Sequence, residues 1–207
     1  MPFSPYDAAA DALKRADELL DASTRNGIPE RVASDIRRSS LVLAVAAVDT
    51  YMHRLIVDRA SMWDKLPKKL AETGVRFDQL IAEAQESYEA ARRTPFNSRP
   101  GVRVKQILRN QLLQRTFQSL RQIEEALTMA GAAGNWKPIS EQLGMTRAQV
   151  DARLGLIVMR RNQIVHEGDY ARLDRPRDAR RNELSESDAR ASVQFLRDLA
   201  GAIHAVV

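Results

Sequence analysis

The chain has 207 residues, enough for one sizeable domain with its own core. Hydrophobic residues make up 44% and charged residues 29%, a globular balance that excludes a disordered or fibrous protein. Cysteine is absent, which excludes disulfides and thiolate metal sites and fits a cytoplasmic protein, while the net charge of +5 favours a polyanionic partner.

The N-terminus, Met-Pro-Phe-Ser-Pro, lacks the basic and apolar regions of a signal peptide. Ser4-Pro5 opens a first helix with proline at its first position and Asp7 in its first turn; Leu13, Ala16, Leu19 and Leu20 give it an apolar face, and Asn26-Gly27 ends it. A second helix is expected from about residue 29 to 60. Its middle, Leu41 to Val48, is apolar all round, which marks the spine of a bundle. That run is far shorter than the roughly 20 apolar residues of a membrane span, so no membrane contact is expected. Asp49 and His53 follow one turn apart. They read either as a carboxylate–imidazole pair at the bundle end or as the lining of a polar cavity shared with a later arginine.

Residues 61–75 read as a turn and short helix, and residues 77–93 as a third substantial helix. Residues 94–101 are dense in turn formers, so they form a loop within the domain. A single helix is then expected over 102–129. Between Arg92 and Arg121 stand eight Lys and Arg residues and no acid, which makes phosphate contact by Arg103 and Arg109 a direct expectation. Aromatic content is only 5%, which argues against base stacking as the main binding mode. Residues 131–134 are a break and 135–144 a short helix, with Trp136 a packing anchor. Thr146 caps the next helix, an Arg- and Asp-rich loop covers 169–183, and Ser185-Glu-Ser-Asp188 opens a last helix that carries His204 as a surface or packing residue. Strand signals are nearly absent. The fold class is therefore all-α, an antiparallel bundle of about five main helices with short connecting helices, forming a single domain over 1–207 on which the helix of residues 1–27 packs.

The helix opened by Thr146 is where the chain becomes specific. Its apolar stripe runs Val150, Leu154, Ile157, Ile164, and the spacing calls for an apolar residue at 161, where the chain has Arg161. A guanidinium on a core-facing stripe requires an anionic partner or a polar cavity. Beside it runs the line Gly155, Met159, Asn162, His166. Arg161 and His166 are five apart, roughly 140° around a straight helix, so one substrate atom meets both only if the last turn distorts or a second chain contributes. Gly168 is the stop signal.

The run Arg161-Asn162-Gln-Ile-Val-His166 resembles the RNase motif of the HEPN superfamily, Arg-x4–6-His with a polar residue after the arginine. Ser40 to His53 looks like the early long helix of RiboL-PSP-type HEPN domains, and Trp136, Ile139 and Leu143 fall where that type carries a short connecting segment. The resemblance covers about residues 30–205. It implies a helical domain that dimerises, with two motif helices meeting across a two-fold axis to form a metal-independent endoribonuclease site. It further implies a toxin or phage-defence setting, with an antitoxin protein as a partner.

The residues suit that chemistry on their own terms. Three histidines without His-Glu-x-x-His spacing, and no clustered carboxylates, fit metal hydrolysis poorly, so neither a metal nor another cofactor is expected. There is no glycine-rich phosphate loop and no nucleophile elbow. An imidazole, a guanidinium and an amide remain. His166 can act as general base on a ribose 2′-OH or as acid toward the leaving 5′-oxygen. Arg161 can stabilise the phosphorane, and Asn162 can orient His166 or hold a phosphate oxygen. Arg103, Arg109 and Arg160 are the residues expected to hold RNA. Two other readings stay open: Arg161 pairs with an acid such as Asp49 while His166 merely caps its helix, and the chain is a non-catalytic dimer that binds nucleic acid or a protein partner.

Overall fold

The computed structural model describes residues 4–60, 68–71, 86, 89, 100–171 and 180–207, with backbone alone at 69, 71 and 100–104. Its regular elements are all helices: α1 (Pro5–Ser23), α2 (Glu30–Ala60), α3 (Lys68–Ala71), α4 (Pro100–Leu112), α5 (Leu120–Met129), α6 (Trp136–Leu143), α7 (Arg147–Glu167) and α8 (Glu186–Val206). The only strand-like feature among the described residues is an isolated antiparallel bridge between Tyr170 and Arg181. The helix read over 77–93 lies outside the described residues, apart from Glu86 and Glu89, which are helical.

The apolar run in α2 makes it the spine. Leu41, Ala44, Val45, Ala47, Val48, Tyr51, Met52, Leu55 and Ile56 are all buried, facing neighbours on several sides. By length and composition α2 could cross a membrane, and 61% of its most apolar window lies inside the bundle, so the core accounts for its apolarity. Helix α1 returns along α2 as an antiparallel hairpin: the buried Ser40 hydroxyl donates to the Ala16 carbonyl at 2.7 Å across the seam. The small buried residues Ala9, Ala16 and Ala44 let the two backbones approach. Helix α8 closes the other side with Val193, Leu196, Leu199 and Ile203, and it packs on α1, α2 and α6. His204 is exposed and stacks on Tyr6 with ring centroids 4.2 Å apart, the packing role expected of it.

One expected helix is two. The run read as continuous over 102–129 stops at Leu112 and restarts at Leu120. The Asp49 carboxylate on α2 accepts from the Phe117 backbone N–H at 2.5 Å and from the Gln118 amide at 3.2 Å. Ser119 and Gln122 then form a reciprocal capping box that starts α5. This break drives Phe117 into the core and leaves Leu113 75% exposed.

Candidate functional site at the motif helix

Helix α7 begins and ends where its sequence dictates. Thr146 and Gln149 form a capping box at its start. Gly168 stops it in the left-handed region at φ 63°, where a β-carbon would also meet the Tyr170 ring at 3.0 Å. Val150, Leu154 and Ile157 are buried, and Ile164 packs partly buried against the same core. This apolar side fixes the rotation of the helix and therefore the direction of every polar side chain on it.

The two adjacent arginines have opposite fates. Arg160 turns inward, and its Nη1 lies 2.7 Å from Oδ1 of Asp169, a carboxylate 1% exposed. Arg38, from α2, donates its Nε to the other carboxylate oxygen at 2.5 Å. Arg38 Nη1 donates to the Ser34 hydroxyl and its Nη2 to the Asn182 carbonyl at 2.7 Å, and Arg160 Nη2 reaches the carbonyls of Asn182 and Glu183 at 2.9 Å each. Burial pushes the Arg160 guanidinium below its ordinary pKa; the Asp169 charge opposes that shift and the Arg38 charge adds to it. Asp169 reaches this position because it continues past Gly168 with φ 61°, a left-handed conformation that aspartate tolerates better than most residues. Its own N–H returns to the Gln163 carbonyl at 3.0 Å, and its carbonyl accepts from the Asn182 N–H at 2.8 Å. The Arg160 side chain, expected to hold RNA, here joins the end of α7 to α2 and to the start of the segment leading into α8.

Arg161 is half-buried on the inward stripe, as its position requires. Its Nη1 donates to the Asn162 side-chain carbonyl at 3.1 Å, and its buried Nε has no hydrogen-bond partner. No ion pair with another described residue holds it. The pairing with Asp49 considered above does not form, because that carboxylate serves Phe117 and Gln118 and lies 3.7 Å from the His53 Nε2. Asn162 and His166 are exposed. No hydrogen bond joins Arg161 to His166, in keeping with their angular separation. On the same side of α7 as Asn162 and His166 stand Gly155 and Met159, with Leu156 next to them; Leu156 is 64% and Met159 52% exposed.

Neither of two cavities walled by described residues brings Asp49 or His53 together with Arg161. One cavity of about 530 Å3 lies between α2 and the C-terminal end of α7, walled by Val42, Leu43, Ala46 and Ile164 and closed by Arg38 and Asp169. His53 instead lines a different cavity, between α2 and α4, together with Arg109. Arg109 is exposed, as expected, and the side chain of Arg103 lies outside the described residues. Sequence reading missed Arg38, Asp169 and Asn182, whose meeting depends on a loop closure that no periodicity encodes.

The described residues thus form a helical bundle whose penultimate helix carries Arg161, Asn162 and His166. A family model matches residues 10–207, and the chain belongs to the RiboL-PSP-HEPN family. No curated protein and no solved structure matches it.

Proposed function

We propose that the chain is a metal-independent endoribonuclease that works as a homodimer. The observation that carries this reading is the intact Arg161-Asn162-x3-His166 on a helix whose exposed side also carries Leu156 and Met159, in a member of this family. Exposed apolar side chains in line along one helix favour a second copy as their cover. Pairing across a two-fold axis would bring the second motif helix to the first, which answers the roughly 140° between Arg161 and His166 on one helix. One His166 removes the proton from the ribose 2′-OH while the other protonates the departing 5′-oxygen. The 2′-oxygen forms a bond to phosphorus, the 5′-oxygen leaves, and a 2′,3′-cyclic phosphate results. Arg161 neutralises the charge that gathers on the phosphorane. Its bond to the Asn162 carbonyl orients the guanidinium and leaves the Asn162 amide N–H groups for a phosphate oxygen. The proposal extends to a setting, that of a toxin or phage-defence effector of the cytoplasm with an antitoxin protein as its partner.

A second reading, a dimeric module that binds RNA or a protein without cutting, is favoured by the absence of any Arg161–His166 contact within one chain. Incubating the purified protein with RNA in excess EDTA separates the two. The nuclease reading expects cyclic-phosphate ends and resistance of a substrate with 2′-deoxyribose at the scissile position. Metal-dependent cutting, or cutting of the deoxy substrate, rejects it.

A further inference from the structure

His166 stands in the last turn of α7, just before the Gly168 stop. The end turn of a helix frays at almost no cost unless something ties it down. The imidazole itself is not tied: His166 is exposed and makes no hydrogen bond or ion pair with another described residue. Its place therefore follows from the backbone of that turn. Two N–H groups close the turn on a single acceptor, because Gly168 and Asp169 both donate to the Gln163 carbonyl, Asp169 at 3.0 Å.

The second of these bonds needs Asp169 at φ 61°, next to Gly168 at φ 63°. Glycine takes this left-handed conformation freely, whereas a residue with a β-carbon stays in it only where its surroundings hold it. At Asp169 three elements do so. Arg160 of α7 forks onto the carboxylate, Nη1 on Oδ1 at 2.7 Å and Nη2 on Oδ2 at 3.0 Å. Arg38 of α2 donates its Nε to Oδ2 at 2.5 Å. Asn182, ahead of α8, donates its side-chain amide to Oδ1 at 3.3 Å and its backbone N–H to the Asp169 carbonyl at 2.8 Å. Arg160 lies nine residues before Asp169, so its fork spans the turn that carries His166. Six residues separate Arg160 from His166, roughly 120° around the helix, which puts the fork in the inner cluster while the imidazole faces solvent.

We propose that Asp169 is a positioning residue for His166: held by Arg160 and Arg38, it pins the last turn of α7 and so fixes where the imidazole stands. Its effect on the rate of cleavage rests on the nuclease reading; its effect on the helix end does not. Electrostatics alone points the other way. Replacing Asp169 by a neutral residue makes the end of α7 more positive and favours RNA binding. A slower maximum rate without weaker binding is therefore the mark of a displaced imidazole, and a shift of about 1 Å is enough for a large loss.

The test uses the full-length protein and two readouts: hydrogen–deuterium exchange of a peptide covering residues 164–169, and single-turnover cleavage of RNA in excess EDTA over a range of protein concentrations. Asp169→Asn keeps the side chain's size and its tolerance of the left-handed conformation. Arg160→Gln leaves the Arg38–Asp169 pair intact, so it carries the test if circular dichroism shows that Asp169→Asn does not fold. Both variants should speed exchange of 164–169 by about tenfold or more and leave the peptides of α8 unchanged. Both should lower the maximum rate by roughly 10–10²-fold, with the half-saturating protein concentration within about twofold of wild type. Arg147→Gln, which breaks the ion pair with Glu124 at the start of the same helix, should change either readout by less than about twofold. Unchanged exchange in the folded variants overturns the proposal. So does faster exchange with an unchanged maximum rate, or a rise in the half-saturating concentration alone, which would make Arg160 a contact for RNA. A wild type that cuts no RNA in EDTA removes the nuclease reading instead, and exchange by itself then decides whether Asp169 holds the turn that carries His166.

Discussion

Helix α7 has an inner and an outer side, and neighbouring residues divide between them. On the inner side Arg160 shares the buried Asp169 with Arg38, and both guanidiniums also donate to backbone carbonyls of the segment leading into α8. On the outer side Asn162, His166, Leu156 and Met159 face solvent, while Arg161 sits between the two with a single bond to its neighbour. The inner cluster locks the end of the helix; among the described residues the outer side chains make no hydrogen bond or ion pair beyond the one between Arg161 and Asn162. A residue served by its own fold contributes to stability, and the solvent-facing side chains are the ones left for the proposed chemistry.

The largest expected effect falls on the inner side. Asp169→Ala leaves two partly desolvated guanidiniums facing each other and should destabilise the protein by about 3–5 kcal/mol. At the size of this domain that is a drop of roughly 10 °C in Tm by calorimetry. His166→Ala, on the outer side, should stay within about 0.5 kcal/mol of wild type. Equal loss in both variants would erase the distinction between the two sides.

The outer side is tested by association. Leu156→Glu combined with Met159→Glu should weaken self-association at least tenfold in sedimentation velocity while the circular dichroism spectrum is unchanged. A wild-type protein that is monomeric at micromolar concentration would instead remove the composite site altogether.

Asp49 separates the scaffold from the chemistry. Asp49→Ala leaves the Phe117 N–H without its acceptor and should cost about 1–3 kcal/mol in a denaturant melt. The rate of RNA cleavage by the protein that remains folded should not change, since Asp49 serves the start of α5. A rate loss that exceeds the loss of folded protein would return Asp49 to the supporting role first considered for it. The smallest effect is expected at Ser119→Ala, about 1 kcal/mol from loss of the α5 cap.

Much of this was legible beforehand, for local reasons. The spine Leu41 to Val48, the Thr146 cap, the Gly168 stop and the exposed Gly155–Met159–Asn162–His166 line all follow from short-range pattern. The division of labour between Arg160 and Arg161 was not. Periodicity pointed Arg161 inward and said nothing of Arg160, whose partner comes close only because Asp169 turns left-handed and folds back toward Asn182. Arg38 lies 131 residues from Asp169, beyond the reach of any spacing rule. The break before α5 carries no glycine or proline, and its one local signal, Ser119 three residues before Gln122, sits inside a run whose apolar pattern otherwise favours a continuous helix.

The central claim is that His166 performs proton transfer from the outer side of α7, and one measurement tests it most directly. Wild-type and His166→Ala proteins, matched for fold and oligomeric state, are compared in single-turnover cleavage of RNA in excess EDTA. The account predicts 2′,3′-cyclic phosphate ends from the wild type and a rate lower by roughly 10²–10⁴-fold in the variant. Full activity in His166→Ala would contradict it.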